Sequence, residues 1–326
     1  RSVKFNGDLL IVMVRNGELI LALAGDIDPD FLSKYTLASG ITEEEEALLG
    51  LVNKIVDTHE KGWVDSVCIE TGKEPSDKDV GMTLERECDV KPNSSQSPDE
   101  KGLIEIKATS IMQDHLYNII GVVPGRGEAK QNSRRGNWEG GLSKKEICRN
   151  FGKKDLSGRI YGLKNNIVVG QKNTHGLMIV VDRDNQEVRI VGSNDEEEDI
   201  VVSLYDFERL RSYLSSKHPC TVWTKADKND DGTQFLYQSI TITMRPVFHS
   251  FLNALENKEV VFDFKMHWDG KTTSPRDHGP SFRIKSGSTD SVFTKKTEPL
   301  DLSELSEKRK SDPDGFAQYV LQQLRK

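Results

Sequence analysis

The stretch Ser97-Pro98-Asp99-Glu100-Lys101-Gly102-Leu103-Ile104-Glu105-Ile106-Lys107 constrains this chain more than any other. Glu105 and Lys107 share one parity and Ile104 and Ile106 the other, which predicts a β-strand with one buried and one charged face. A turn containing Gly102 leads into it. Such a strand needs a sheet to join and a layer to cover its apolar side. Further apolar runs supply the sheet: Leu177 to Val181, Glu187 to Val191, Ile240 to Met244 and Val260 to Phe264 read as strands. Helices are expected at Leu204 to Leu214 and Val247 to Glu256, and a short helical segment around Met82 to Cys88. Mixed strands and helices imply an α/β domain with a mixed central sheet flanked by helices.

The first 40 residues form a separate accessory region in this reading. Two apolar runs, Leu9 to Val14 and Leu19 to Ala24, flank Asn16-Gly17, which predicts a β-hairpin. Both runs fall well short of the ~18 residues a membrane span needs. No secretory h-region opens the chain, and the expected location is the cytoplasm. Thr42 with Glu45 three residues on, ahead of Leu48, Leu49, Val52, Ile55 and Val56, predicts a capped amphipathic helix over Thr42 to Trp63. Glutamates 43–46 suit the positive end of that helix better than a metal site. The main domain is expected over 41–296, followed by a polar spacer, Ser303 to Asp314, and a last helix, Phe316 to Leu324, that packs peripherally, together forming 297–326. The acidic run Asp195 to Asp199 reads as a solvated turn.

Charge is distributed unevenly. The whole chain is at −7, residues 1–100 carry 10 Lys/Arg against 21 Asp/Glu, and residues 126–172 carry 12 against 4. A basic segment on an acidic chain suits one polyanion-facing side. Segment 124–172 reads as a long irregular or partly helical insertion, with Arg126, Lys130, Arg134, Arg135, Lys144, Lys145, Arg149, Lys153 and Lys154 interleaved with Trp138, Phe151 and Tyr161. It offers phosphate neutralisation and stacking surfaces, and becomes a DNA clamp if the strand upstream is that of a nuclease, although basic loops also serve solubility and Trp138 and Tyr161 would serve equally as core anchors. Cys68, Cys88, Cys148 and Cys220 form no CxxC pair, so neither a zinc knuckle nor a disulfide framework is indicated. No GxxxxGK[ST] phosphate loop is present, so no nucleotide cofactor is expected.

The chemistry-bearing residues lie on the opening strand. Hydrolysis of a phosphodiester by water needs a hard divalent cation on a few carboxylate oxygens, with open positions for water and phosphate. Asp99 and Glu105 supply such oxygens. Lys107 is placed to orient the attacking water and offset charge developing on phosphorus. The E-x-K pattern alone says little, since Glu128/Lys130 and Glu256/Lys258 repeat it. Only Glu105/Lys107 follows a Pro-Asp and a turn on an amphipathic strand. An edge strand bearing ordinary surface charges is the competing interpretation.

Thr83-Leu84-Glu85, Asn93-Ser94-Ser95, Pro98-Asp99 and Glu105-Ile106-Lys107 together resemble the TLE, NNS, PD and ExK arrangement of the MvaI/BcnI family of restriction endonucleases and, more distantly, of the mismatch-repair nicking enzyme MutH, within the PD-(D/E)xK nucleases. Far downstream, Val261-Phe262-Asp263-Phe264 and Asp277-His278-Gly279-Pro280-Ser281-Phe282-Arg283-Ile284 are similar to that family's closing DF and HGxxFRI segment. Val180-Val181-Asp182-Arg183, Thr224-Lys225-Ala226-Asp227 and Phe235-Leu236-Tyr237 fall between in family order, so the resemblance covers roughly 60–290.

The resemblance implies a restriction-endonuclease-like fold and a Mg²⁺-dependent, sequence-specific endonuclease of double-stranded DNA. Asp99, Glu105 and Lys107 form its site and Glu85 supports it, by assisting the metal or by holding Lys107; a helix carboxylate paired with a neighbour is the plainer reading of Glu85. Segment 220–290 is implied to contact DNA, making Lys225, His278 and Arg283 candidates, with a backbone-satisfied turn histidine the alternative for His278. A monomer is the expected state, with a cognate methyltransferase as functional rather than physical partner. A MutH-like nicking enzyme and a non-catalytic DNA-binding module are the competing functions. The chain departs from the family in having a single glycine within Asp77 to Met82, in the basic insertion and in its first ~40 residues, which bear on target sequence and strand geometry rather than on the catalytic set.

Overall fold

The computed structural model describes residues 10–15, 18–23, 41–90, 97–111, 116–121, 123–126, 129–130, 141–154, 160–163, 166–193, 198–272 and 274–324. The chain divides into two units, Arg1–Glu46 and Ala47–Lys326. In the first, β1 (Leu10–Arg15) and β2 (Glu18–Leu23) pair antiparallel with Arg15 opposite Glu18. That register fits a two-residue connection, although Asn16 and Gly17 themselves lie outside the described residues. Helix α1 (Glu43–Glu60) begins on the expected capping box: Thr42 Oγ1 accepts from the Glu45 amide and Glu45 Oε2 from the Thr42 amide.

The second unit holds two hydrophobic clusters. One packs around a sheet in which β3 (Ile104–Ser110), β8 (Cys220–Lys228) and β9 (Gln234–Pro246) are consecutive neighbours, β3 parallel to β8 and β8 antiparallel to β9. Leu51, Val52 and Ile55 of α1 fill it, with Val80 and Leu84 of α2 (Asp79–Glu87) and Ile104 and Ile106 of β3. The other cluster gathers β4 (Leu116–Ile120), α3 (Lys144–Phe151), the antiparallel ladder β5 (Leu177–Asp182), β6 (Glu187–Ser193) and β7 (Asp199–Asp206), and α4 (Phe207–Lys217). It also takes in α5 (Phe248–Glu256), β10 (Val260–Asp263), β11 (Met266–Trp268) and β12 (Ser281–Lys285). Neighbouring strands on one face share parity, so Thr221 and Trp223 stand beside Glu105 and Lys107, opposite the face that buries Ile104 and Ile106. Trp223 belongs to the second cluster. The charged face of β3 therefore looks toward the seam between the two cores.

Several expectations need correction. Ser303 to Asp314 is not a polar spacer: α6 (Leu302–Ser311) starts on the Asp301 carboxylate, which accepts from the Ser303 and Glu304 amides. The next helix, α7 (Pro313–Gln323), buries Phe316 and Val320 in the first cluster rather than packing peripherally. Leu204 and Tyr205 belong to β7, because Asp206 accepts from the Arg209 amide and caps α4 only from Phe207 onward. The basic insertion is partly helical, as expected: Ser143 and Glu146 form a capping box for α3. Of the run expected to form an acidic turn, 195–197 lie outside the described residues and Asp199 opens β7. All four cysteines are free and buried, and among the described residues no helix is long and apolar enough to cross a membrane.

Candidate active site

The site is built at the mouth of β3. Lys101 and Gly102 adopt left-handed conformations, φ 52° and 72°, and the Leu103 amide bonds back to the Glu100 carbonyl at 2.9 Å, closing a tight turn. That turn folds Asp99 back along the strand. β3 ends the strand order of its sheet, and the Ile106 amide is satisfied by Asp99 Oδ2 at 3.1 Å. One carboxylate is thus fixed against the strand that carries the other.

Glu105 is fully buried, yet it is a carboxylate. Lys107 Nζ bonds its Oε1. Its Oε2 lies 2.8 Å from Lys217 Nζ, a second ion pair on the same carboxylate. Burial pushes the Glu105 carboxyl up to about 7 in spite of the two ammonium groups, and Asp99 adds to the rise.

Lys217 escaped the sequence reading. It ends α4, and only His218 and Pro219 separate it from β8, the parallel neighbour of β3. This short connection delivers the ammonium to the same strand mouth, where it bonds the Ser97 carbonyl at 2.8 Å and stands 3.5 Å from Asp99 Oδ1. Burial disfavours its charged form, but Glu105 and Asp99 outweigh that and raise its pKa. His218 fixes the connection. Fully buried, it lies 3.0 Å from Thr221 Oγ1 and 2.8 Å from the Ile119 carbonyl, and burial lowers its pKa to about 3, so it is neutral.

Glu85, on α2, senses the same cluster: burial raises its pKa, Asp99 raises it further, and Lys107 and Lys217 oppose. Its helix is held in place by Arg86, which bonds Glu70, Glu87 and the Asp65 carbonyl. Three carboxyl groups thus share the strand mouth with two ammonium groups. Hard oxygen donors of this kind fit Mg²⁺, which is characteristically held by one or two carboxylates plus substrate phosphate rather than by a full protein cage. Among the described residues no group of three or more His, Cys, Asp or Glu side chains is arranged to hold a metal ion by itself.

The other candidates are spread out. Lys225 is exposed on β8, four residues beyond Thr221 and so about 13 Å along the strand from the Glu105 level. Arg283 bonds Asp263 at 2.8 Å and the Leu116 carbonyl at 2.9 Å, tying β12 to β10 and β4. His278 is exposed, with Nε2 3.4 Å from His267 Nδ1. Lys144 pairs with Asp277 at 2.7 Å, and Lys145 and Arg149 lie over the Trp268 ring. Arg134, Arg135, Trp138 and the Asn93-Ser94-Ser95 motif lie outside the described residues. Of the rival E-x-K pairs, Glu256/Lys258 has both of its charged groups engaged elsewhere than at the β3 mouth, Glu256 with Arg183 and Lys258 with Gln171.

Comparison with known proteins agrees with this architecture. The fold is similar to that of a solved complex of restriction endonuclease MvaI with its cognate DNA substrate, with a TM-score of 0.62, 18% identity, and coverage of 81% of this chain and 100% of that one. A structure of MvaI in the absence of DNA gives a TM-score of 0.44 at 17% identity, covering 81% and 99%. No curated protein matches the sequence. The family model that matches, over residues 52–293, spans both the β3 mouth and the β10 to β12 segment, and the chain therefore belongs to the MvaI/BcnI restriction endonuclease family, a family of DNA-cleaving nucleases.

Proposed function

We propose that this chain is a type II-like endonuclease that hydrolyses phosphodiester bonds of double-stranded DNA at a specific short sequence, with Asp99 and Glu105 holding Mg²⁺. The observation that carries the proposal is the convergence of Asp99, Glu105, Lys107 and Lys217 at one strand mouth. When bound there, the cation would acidify a water molecule and neutralise phosphate charge. The chain's own groups do the rest. The Ile106 amide and the β3 turn hold Asp99 in place. Lys107, partly exposed beside Glu105, is the ammonium available to orient a water molecule and to meet charge growing on the phosphate. Lys217, 11% exposed, is the inner ammonium that keeps buried Glu105 and half-buried Asp99 compatible before a cation arrives. Exposed Lys153 and Lys154, with Lys144 and Lys145 on α3, offer phosphate contacts beyond the site.

The test is incubation of the full chain with supercoiled plasmid and Mg²⁺ across about pH 5.5 to 8, followed by mapping of the ends. Linear product with discrete ends is expected. Because the Glu105 pKa is raised, its proton competes with a cation; cleavage should rise about tenfold per pH unit below about 7 and level off above it. Open circles without linear product would mean nicking, and no cleavage with any divalent metal would mean a non-catalytic DNA-binding module.

A further inference from the structure

A cavity of about 290 Å³, separate from the β3 mouth, is bounded by the turn between β5 and β6, by α4 and by α5. Every pair of these walls is tied. Arg183 in the turn bonds Glu256 of α5 through Nε and Nη2, and Asn253 through Nη2. The carbonyl of Gln186, a residue in left-handed backbone at φ 55°, accepts from the Phe207 amide at 2.8 Å and joins the turn to α4. Phe207 of α4 and Phe248 of α5 meet edge to face, with ring centroids 5.3 Å apart. The cavity is therefore formed before any ligand arrives.

Its accessible lining is cationic. Arg183, Gln186, Arg211 and His249 are exposed, while Phe207 and Leu252 make a buried floor. Arg211 lies over the Phe248 ring at 5.0 Å and pairs with no carboxylate among the described residues, although Glu208 stands one turn before it. The ring thus holds a guanidinium whose charge is not neutralised. Arg183, balanced by Glu256, keeps Nη1 uncommitted.

We propose that this cavity binds a phosphate group of a nucleotide, either on the backbone of bound DNA or free in solution. Guanidinium forks match phosphate oxygens, and the Gln186 amide and the His249 ring add donors. Arg211 precedes Lys217 by six residues, about 9 Å along α4 and on another side of it, so a phosphate held here is not the one at the β3 mouth. The DNA source rests on the DNA-binding reading above; the free source does not.

Two measurements on the full chain separate the sources. In the first, metal-free protein meets inorganic phosphate or deoxyadenosine monophosphate, read by phosphorus NMR line broadening, with acetate as competitor. Arg211→Gln and His249→Glu, both at exposed positions, should each cut the broadening severalfold. In the second, duplex affinity is measured in Ca²⁺ over a salt series. If the phosphate belongs to DNA, Arg211→Gln lowers the slope of log affinity against log salt by about 0.9, the share of one contact. A lowered slope assigns the site to DNA, and lost broadening with the slope unmoved assigns it to a free nucleotide. If Arg211→Gln does not fold, His249→Glu carries both readouts. Neither readout moving in a folded variant, or displacement of phosphate by equimolar acetate, overturns the proposal. A chain that binds no duplex but whose phosphate line still responds to Arg211→Gln overturns the DNA reading and leaves this site standing.

Discussion

Lys107→Ala will lower single-turnover DNA cleavage by about 10²–10⁴-fold while leaving DNA affinity within a few-fold of the unmodified protein. Lys107 Nζ bonds Glu105 Oε1 and its side chain is 24% exposed, so of the two ammonium groups it is the one that reaches both the carboxylate and the solvent side where a phosphate would lie. One ammonium is a minor part of total phosphate neutralisation, which makes affinity insensitive to it. Lys107→Arg should not rescue, because a planar guanidinium does not reproduce a point charge at this position. If affinity and cleavage fell together, Lys107 would be a binding residue and its assignment to the chemistry would fail.

Lys217→Met should produce the second large effect, and in two readouts. Cleavage is expected to fall by about 10²-fold. In metal-free protein the substitution also leaves Asp99 and Glu105 without their inner counter-charge, and loss of one partner from a buried pair costs about 3–5 kcal/mol. The melting temperature should therefore drop by several degrees, and Mg²⁺ should restore more of it in the variant than in the parent, since the cation then replaces the missing ammonium. Equal Mg²⁺ stabilisation of both proteins would show that Lys217 does not share its seat with a cation.

The contrast between these two lysines shows what the sequence made legible. Lys107 was visible because its strand is amphipathic on a two-residue period and its partners lie within the same stretch. Lys217 was not, because its role depends on β3 and β8 pairing in parallel across a long separation, and Cys220–Lys228 reads without a clean alternation once Thr221 and Trp223 are buried on the second face. The missed α6 has a different cause. Its core contacts rest on Leu302 and Leu305, too few for a periodic signal, and its clearest mark is the Asp301 cap. At Arg283 the residue type alone did not reveal its bonds to Asp263 and the Leu116 carbonyl, since a guanidinium suits a phosphate and a carboxylate equally well.

Two carboxylates and two ammonium groups at the mouth of β3 are proposed to seat a divalent cation against a DNA phosphate. A crystal structure of the full chain with a DNA duplex it cleaves, grown in Ca²⁺ to arrest hydrolysis, tests it most directly. The expected result is a cation within about 2.3–2.6 Å of oxygens from Asp99, Glu105 and one DNA phosphate, with Lys107 Nζ on the solvent side of that phosphate. A duplex bound with its phosphates distant from Glu105, and Lys217 still paired there without a cation, would contradict the account.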